Sequence, residues 1–357
     1  MGHAGDGGGT TFTVALVIPF AGSEALYGPS CLLCAQLAAE EINAEGGILG
    51  RPVRMIVVDG GAGPSRVADE VGSLVDAGRV DAVVGWHTSA VRQRLAPRLR
   101  SRVPYVFTAL YEGGETTPGV FAIGETPEIQ LYPALRWMAE EIGVRRWFVV
   151  GNDYVWPRRS TELTCRFLHE CGAPPLDGVE FLELGTVDFG PVLRRIESGS
   201  CDGVLMLLVG RDAVEFNRQF ARRGLEDRCA RFSPLMDESM LTQIGARASR
   251  DVFTAAGYFE SLPTAESLGF GARYVRRFGP DAPVLNAPGE SCYDGVRVLA
   301  ELIERAGTAE VGPLTEAADR SCHDGPRGTV RVTGARTEQR IYLATADGAD
   351  YDILASI

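Results

Sequence analysis

The chain has 357 residues, of which 45% are hydrophobic and 23% are charged, and its formal net charge is −12. This length and composition predict a globular protein of two ordinary α/β domains and exclude a disordered chain. All 35 basic residues are Arg, so there is no Lys for a Walker-type phosphate loop or a Schiff base. The acidic balance, without a basic run, argues against nucleic acid or an anionic membrane as a direct partner.

The chain start and the cysteines bear on the cellular location. Residues 1–10 read as a flexible lead-in, without the charged and apolar regions of a signal peptide. No stretch approaches the roughly 20 apolar residues of a membrane span, so no membrane insertion is expected. The eight cysteines show neither framework nor metal-ligand spacing, so no cofactor or metal is predicted, and unpatterned thiols favour a reducing compartment. We therefore predict a cytoplasmic protein, with an exported lipoprotein that has lost its signal peptide as the alternative.

Short apolar runs alternate with amphipathic segments along most of the chain. The first predicted strand, Phe12–Pro19, is followed by the helix Cys31–Asn43, whose apolar residues recur at spacings of three and four. The later strands are Val53–Val58, Ala82–Gly85, Tyr105–Thr108, Trp147–Gly151, Val179–Leu184, Gly203–Val209 and Val252–Tyr258. The helices between them are Ser65–Ala77, Ser89–Ala96, Glu128–Ile142, Arg159–Cys171, Phe189–Ser198, Asp212–Arg223 and Glu238–Ala246. This alternation indicates parallel sheets covered by helices on both faces.

The last hundred residues follow a looser pattern. Two helices are predicted at Ala265–Phe278 and Gly289–Ala306. Three short strands, at Gly328–Val332, Arg340–Ala344 and Tyr351–Leu354, predict a small antiparallel addition at the end of the chain.

Polar residues directly after the strands are the candidates for ligand binding, because ligands of open α/β sheets bind beyond the carboxyl ends of the strands. Ser89 begins a helix, where free N–H groups suit a carboxylate or carbonyl oxygen, but it could instead only cap that helix. His87 is a second candidate or an ordinary polar group. Arg211 could contact an anionic ligand or pair with its own helix. Asp237 could bind a ligand or favour the dipole of the helix that it starts.

Three segments resemble the type I periplasmic binding-protein superfamily. They are Ala38–Gly50, which reads Ala-Ala-Glu-Glu-Ile-Asn-Ala-Glu-Gly-Gly-Ile-Leu-Gly, together with Val14–Gly22 and Val83–Trp86. The resemblance implies an α/β fold of two doubly wound parallel-sheet lobes, joined by a three-strand hinge, that bind a small solute between them and usually do no chemistry. It places lobe 1 at residues 11–124 and 259–326, and lobe 2 at residues 125–258 and 327–357. The second and third crossings are expected near Tyr258–Ser261 and Asp324–Thr329.

Two loops resemble one branch of that superfamily, which binds amides, urea or branched-chain amino acids. The matching residues are Tyr111-Glu112-Gly113 and, about forty residues later, Gly151, Asp153, Tyr154, Pro157 and Arg158. The branch includes the cytoplasmic amide sensor of an amidase operon and the urea-binding components of ABC transporters. With the residues that follow the strands, the resemblance gives ten candidate ligand-binding residues. They are His87, Ser89, Thr108, Ala109, Tyr111, Tyr154, Trp156, Arg211, Asp237 and Tyr258.

The chain departs from the branch ahead of Tyr111, where Tyr-Pro-Thr-Pro is usual and this sequence reads Phe107-Thr-Ala-Leu. Ala109 therefore stands where a hydroxyl would meet the ligand. Thr108 is shifted by one residue, and strand alternation would point its hydroxyl away. Trp156 and His87 occupy positions where tyrosines are common. We therefore expect a larger or more aromatic ligand than acetamide or urea.

These features predict a non-catalytic binding protein that closes over an amide, a urea or an amino-acid-like ligand and acts as the sensor of a regulator. The alternative is the substrate-binding component of an ABC transporter, with a permease as its partner. A hydrolase on the same fold is a remote alternative, because the sequence has no nucleophile elbow and no Cys–His signature. A homodimer is a further alternative for the assembly.

Overall fold

The computed structural model describes residues 10–318, 321–333 and 336–357. Except for Thr10, the predicted lead-in lies outside these residues. The chain forms two α/β lobes, which confirms the predicted fold class. Among the described residues, no helix is both long enough and apolar enough to cross a lipid bilayer.

The first lobe is built on a five-stranded parallel sheet with the order β2-β1-β3-β4-β5. Its strands are β1 (Phe12–Ile18), β2 (Val53–Asp59), β3 (Ala82–Gly85), β4 (Tyr105–Phe107) and β5 (Val120–Ala122). The helices α1 (Gly28–Ala44), α2 (Pro64–Asp76) and α3 (Ser89–Leu99) connect them, after a short 3₁₀ turn at Ser23–Leu26. The β1 and β3 strands are apolar and almost entirely buried, as expected for a sheet covered on both faces.

The second lobe is built on a seven-stranded sheet with the order β15-β14-β10-β9-β8-β6-β7. Its parallel strands are β6 (Trp147–Asn152), β7 (Gly178–Leu182), β8 (Gly203–Leu207), β9 (Ala230–Ser233) and β10 (Val252–Ala256). The strand β14 (Tyr342–Asp347) pairs antiparallel with β10, and β15 (Asp350–Ser356) pairs antiparallel with β14 at the edge of the sheet. Its helices are α4 (Pro127–Trp137), α5 (Val155–Glu170), α6 (Gly190–Ser198), α7 (Arg211–Arg222), α8 (Glu238–Ile244) and α9 (Ala246–Ser249).

The remaining elements follow β10. Helices α10 (Ala265–Phe278) and α11 (Ala287–Ala306) pack on α1 of the first lobe, and α12 (Val311–Ala318) packs on α11. The strands β11 (Ser321–Gly325), β12 (Gly328–Thr333) and β13 (Arg336–Glu338) form a small antiparallel sheet.

Four strands of the structure, β5, β9, β11 and β13, were not predicted. For β5 and β9 the structure shows a physical reason. The edge strand β5 has three residues, too few to show a pattern. In β9 the apolar run is interrupted by Arg231, which is fully buried and donates hydrogen bonds to Asn217 Oδ1 and to the Ala248 carbonyl. A buried arginine that donates to oxygen acceptors is compatible with a central strand. Because arginine is charged, the segment does not show the apolar pattern by which a strand is predicted.

The third lobe crossing lies further along the chain than predicted. Residues Asp324–Thr329 form the turn of the β11–β12 hairpin, in which Gly325 pairs with Gly328. The chain reaches the sheet of the second lobe only after β13, at Tyr342. An antiparallel hairpin and a lobe crossing both look like a short strand pair in a sequence, so the pattern could not separate them. The other predicted lobe boundaries stay a prediction.

The three connections between the lobes meet at one cluster of charged and polar groups. Glu125, in the first connection, accepts a hydrogen bond from the N–H of Gly257, in the second, at 2.9 Å. Buried Arg327 lies 3.4 Å from Glu125 and donates to Gln339, in the third connection, at 2.8 Å. The same guanidinium pairs with Glu290 of α11. A Cβ on Gly257 would lie 3.0 Å from both Arg327 Nη1 and Glu125 Oε1, so glycine allows this close approach.

Candidate functional site

The carboxyl ends of the two parallel sheets face each other across a cleft. A cavity of about 930 Å³ opens between them and takes its walls from both lobes. Ser23, Glu24 and Thr88 belong to loops of the first lobe, and Arg211 and Asp212 begin α7 of the second. The volume lies in the range of small-molecule binding sites, and the position agrees with the rule for open α/β sheets.

Direct contacts between the lobes show that the cleft is closed. Ser23 Oγ donates a hydrogen bond to Asp212 Oδ1 at 2.6 Å. The N–H of Gly210 donates to Tyr27 Oη at 2.9 Å. Gly210 has a φ of +49°, and a Cβ there would lie 2.0 Å from the carbonyl oxygen of Ser23. The closed state therefore depends on a glycine at this position, for its conformation and for its lack of a side chain.

Two aromatic side chains that the sequence analysis did not select occupy the centre of the cleft. Tyr27 and Trp86 are buried, with their ring centroids 4.4 Å apart. The hydroxyl of Tyr27 also lies 3.8 Å from the sulfur of Met240, in the second lobe. Tyr27 could have been selected from the sequence because it is an aromatic residue in the loop after β1, directly before α1. The sequence analysis selected His87, and adjacent residues at the end of a strand point to opposite faces. If His87 points away from the cleft, its neighbour Trp86 points toward it.

A second, inner cavity lies nearer the hinge and has a volume of about 20 Å³, enough for roughly one water molecule. Thr108 and Asp237 line it, together with Trp86, Glu125 and Ser291. The Thr108 hydroxyl lies 3.5 Å from Ser291 Oγ and 3.8 Å from Cys292 Sγ, both on α11, and that it points away from a ligand stays a prediction. Strand β4 ends at Phe107, so the alternation of strand side chains no longer applies at Thr108. Ala109 is buried beside it, with its carbonyl packed against Gly124.

Ser89 is the first residue of α3 and is 2% exposed. Its hydroxyl has no hydrogen-bond partner among the described residues. The N-cap position belongs to Thr88, so Ser89 does not act as the cap of its own helix. A buried hydroxyl without a partner costs free energy, and a ligand oxygen or N–H group in the cleft would supply one.

Asp237 lies at the N-cap of α8, as one of the two predicted alternatives expected. It accepts hydrogen bonds from the Met240 N–H at 2.9 Å and from Ser239 Oγ at 2.6 Å. It also accepts one from Asn286 Nδ2, at the start of α11, at 2.8 Å. Burial raises the pKa of Asp237 to about 6. All of these partners are neutral, and no ion pair among the described residues includes Asp237.

Other carboxyl groups of the cleft share this lack of a cationic partner. Burial raises the pKa of Glu24 to about 7 and the pKa of Glu238 well above its usual value. Burial likewise raises the pKa of Asp212. None of the ion pairs found in residues 10–318, 321–333 and 336–357 involves these three side chains. Their raised pKa values favour the protonated, uncharged form of these carboxyl groups, as burial without a cationic partner requires.

Of the ten predicted site residues, only Thr108, Arg211 and Asp237 line the cavities described above. Three of the others are packed against neighbouring side chains. His87 is fully buried, 2.8 Å from Tyr105 Oη through its Nε2, and burial lowers its pKa to about 4. The ring of Tyr111 lies beneath the guanidinium of Arg92, 4.9 Å away. Tyr258 packs edge-on against Phe270, with ring centroids 6.1 Å apart.

The matched Tyr-Glu-Gly loop has a structural role as well. Glu112 forms a buried ion pair with Arg92 at 2.5 Å, and Glu115 accepts from the same guanidinium at 2.9 Å. Arg92 belongs to α3, so the loop is tied to the helix that Ser89 begins. This contact fixes the position of Ser89 relative to the loop after β4.

The remaining predicted residues lie at the start of two helices of the second lobe. Tyr154 precedes α5 and is half-buried, and its ring centroid is 6.2 Å from that of the buried Trp156. Val155, between them, lines a cavity together with Ala90, the neighbour of Ser89 in α3. Arg211 is exposed and lines the large cavity. That these residues contact a ligand stays a prediction.

Comparisons with known proteins agree with this architecture. The family described as periplasmic binding protein matches residues 11–351. A Leu/Ile/Val-binding protein homolog of Brucella melitensis is 29% identical over 220 residues, which are 60% of this chain and 56% of that protein. The chain thus spans little more than half the length of that relative. The Leu/Ile/Val-binding protein BraC3 of Rhizobium johnstonii is 24% identical over 91% of this chain and 88% of its own length.

Solved structures share the fold over nearly the whole chain. The branched-chain amino acid transporter substrate-binding protein LivJ of Streptococcus pneumoniae, in complex with isoleucine, has a TM-score of 0.84 at 19% identity and covers 97% of this chain and 99% of its own. A solute-binding protein of an ABC transporter from Rhodopseudomonas palustris, in complex with 3,4-dihydroxybenzoic acid, has a TM-score of 0.84 at 22% identity, with 98% of each chain covered. At these identities the likeness shows the fold alone.

Proposed function

Because the chain belongs to the periplasmic binding protein family, we propose that it is a non-catalytic solute-binding protein that closes its lobes over a small amino-acid-like ligand and delivers it to an ABC permease. The observation that carries the proposal is the closed cleft, in which the acidic Asp237 and the hydroxyl of Ser89 are buried without a charged partner. An ammonium group and a carboxylate or carbonyl group on one small molecule would satisfy both.

The ligand's cationic nitrogen faces Asp237 in this proposal, and its entry replaces the hydrogen bond from Asn286. The inner cavity of about 20 Å³ has to widen to admit it, so the ligand enters while the lobes are open. Its carboxylate or carbonyl faces Ser89 and the N-terminus of α3, where the helix dipole favours negative charge. The rings of Tyr27 and Trp86 cover its apolar part. Acetamide and urea are uncharged and too small to cover those rings, and an aromatic carboxylate would leave Asp237 unpaired.

Transport is supported better than regulation. The relatives include Leu/Ile/Val-binding proteins and solute-binding proteins of ABC transporters. We therefore place the permease ahead of the regulator partner of the sequence analysis, and an exported location ahead of the cytoplasm. The relatives are substrate-binding proteins, and the proposal accordingly includes no catalytic step.

A thermal-shift screen followed by calorimetry tests the ligand class. The panel contains acetamide and urea, aliphatic and aromatic L-amino acids, their N-acetyl forms, and benzoate. We expect an L-amino acid to bind most tightly, its N-acetyl form to lose affinity, and the same loss from Asp237→Asn with the free amino acid. Wild-type binding that is equal for the amino acid and its N-acetyl form, or tightest for urea or acetamide, would refute the proposal.

A further inference from the structure

Two cysteines of the second lobe face each other at the amino ends of adjacent strands. Cys201 precedes β8, Cys229 directly precedes β9, and the two strands are parallel neighbours. Both side chains are buried, and the Cys229 thiol donates a hydrogen bond to the carbonyl oxygen of Cys201 at 3.1 Å.

The strand register places these cysteines at a spacing suited to a covalent bond. Gly203 pairs with Ala230, and the Ala230 N–H donates to the Asp202 carbonyl at 3.0 Å, so Cys229 lies beside the segment that joins Cys201 to β8. The contact of 3.1 Å between the Cys229 sulfur and the Cys201 carbonyl oxygen shows that this thiol reaches the other cysteine. Cα atoms joined by a disulfide are usually about 4.4–6.8 Å apart.

We propose that Cys201 and Cys229 form a disulfide bond when the protein folds in an oxidising compartment. The oxidant is the disulfide of a thiol oxidoreductase or of glutathione. The Cys229 thiolate attacks one sulfur of that disulfide, forms a mixed disulfide and releases one thiolate. Cys201 then loses its proton and attacks the Cys229 sulfur, which releases the second thiolate. Two protein thiols are thereby oxidised, and the oxidant is reduced to two thiols.

The surroundings of the pair explain which thiol reacts first. The hydrogen bond from Cys201 lowers the pKa of Cys229 against the opposing effect of burial, and the charge of Arg228 lowers it further. The same hydrogen bond and burial raise the pKa of Cys201. Thiolate is the attacking species in disulfide exchange, so the direction of these pKa shifts favours Cys229 over Cys201 as the first nucleophile.

Three other buried thiols lie away from this pair, in the first lobe. Cys31, Cys34 and Cys292 lie together in the core of the first lobe, on α1 and α11. Burial raises the pKa of Cys31 and of Cys34 well above the usual value, and neighbouring thiol and carboxyl groups raise it further. We therefore expect these three cysteines to remain thiols under the conditions that oxidise the pair.

Alkylation and peptide mapping test the proposal without any ligand. The full chain is unfolded, refolded with a mixture of oxidised and reduced glutathione, alkylated and analysed by intact mass. Wild-type protein should carry two fewer alkylated thiols than the eight of the reduced chain, and mapping should find one peptide pair that joins positions 201 and 229. When the disulfide is reduced, the midpoint of thermal unfolding should decrease by about 5 °C.

Variants separate this pair from other cysteines. Cys201→Ser and Cys229→Ser should each abolish the linked peptide, whereas Cys165→Ser, at an exposed thiol of α5, should keep it. Eight alkylated thiols after oxidative refolding, or a disulfide that maps to another pair, would overturn the proposal even if a serine variant failed to fold, because the wild-type map decides. The result does not depend on ligand binding, so it can fail while the proposed function stands.

Discussion

Replacing Gly210 by alanine is expected to prevent the two lobes from closing while leaving each lobe folded. The new Cβ would lie 2.0 Å from the carbonyl oxygen of Ser23 in the opposite lobe. Side-chain carbons are not found closer than about 3.0 Å to such an atom, so the loops must separate by about 1 Å or more. That separation weakens the hydrogen bonds between Gly210 and Tyr27 and between Ser23 and Asp212.

The magnitude follows from those two hydrogen bonds. A neutral hydrogen bond contributes about 0.5–1.5 kcal/mol and one to a charged group about 1.5–3 kcal/mol. Losing both destabilises the closed state by about 2–4 kcal/mol. Because ligand affinity scales with the population of the binding-competent state, the dissociation constant should rise by about 30- to 1,000-fold. The positive φ adds about 1–2 kcal/mol of strain to the alanine variant within the second lobe itself.

Calorimetry with the amino acid found in the ligand screen measures the affinity, and denaturant unfolding measures the fold. Gly224→Ala is the control for a positive φ alone, since its φ is +68° and no atom of the described residues lies within 4 Å of a Cβ there. It should lose a similar free energy of unfolding but keep its affinity. A Gly210→Ala variant that binds as tightly as wild type would refute the role of this contact in closure.

Three further predictions concern single groups. Ser89→Ala should weaken ligand binding by roughly 1–3 kcal/mol in calorimetry with little change in unfolding, and unchanged affinity would show that its hydroxyl meets no ligand. Affinity for a cationic ligand should rise with pH through about 6, where Asp237 ionises, and then level off. In Asp237→Asn the affinity should no longer depend on pH in this range. If the pH dependence persists in that variant, another group causes it. Arg327→Met should lower the free energy of unfolding by about 3–5 kcal/mol, because it leaves Glu290 buried without its partner. Arg277→Met, at an exposed pair, should lower it by less than about 1 kcal/mol, and equal effects would contradict the burial argument.

Much of the fold could be predicted because most strands and helices are specified by the pattern of apolar residues within a short segment of the sequence. The apolar runs at β1, β3 and β8 and the helical spacing in α1 are properties of a few consecutive residues. The resemblance of a few loops then supplied the two-lobe arrangement. The strand β9 escaped because buried Arg231 finds its acceptors on other elements, which local hydrophobicity does not show.

The site was harder to predict because its contacts join distant parts of the chain. Ser23 and Asp212 are 189 residues apart in sequence and meet only when the lobes close. Whether Trp86 or His87 faces the cleft, and where Thr108 points, depends on the residue at which each strand ends. An error of one residue in a strand end reverses the predicted direction of a side chain. Ser89 and Asp237 were selected because helix starts are visible in the sequence.

The three connections between the lobes meet at Glu125 and Arg327. This arrangement separates the choice of ligand, which depends on the cleft, from the ease of lobe movement, which depends on the connections. A substitution in the cleft changes affinity differently for each ligand, because each ligand touches different groups there. A substitution at Gly257 or Gln339 changes the energy of lobe rotation by the same amount whatever is bound. The chain can therefore adjust how tightly it holds all of its ligands, and how readily it releases them, without altering its preference among them.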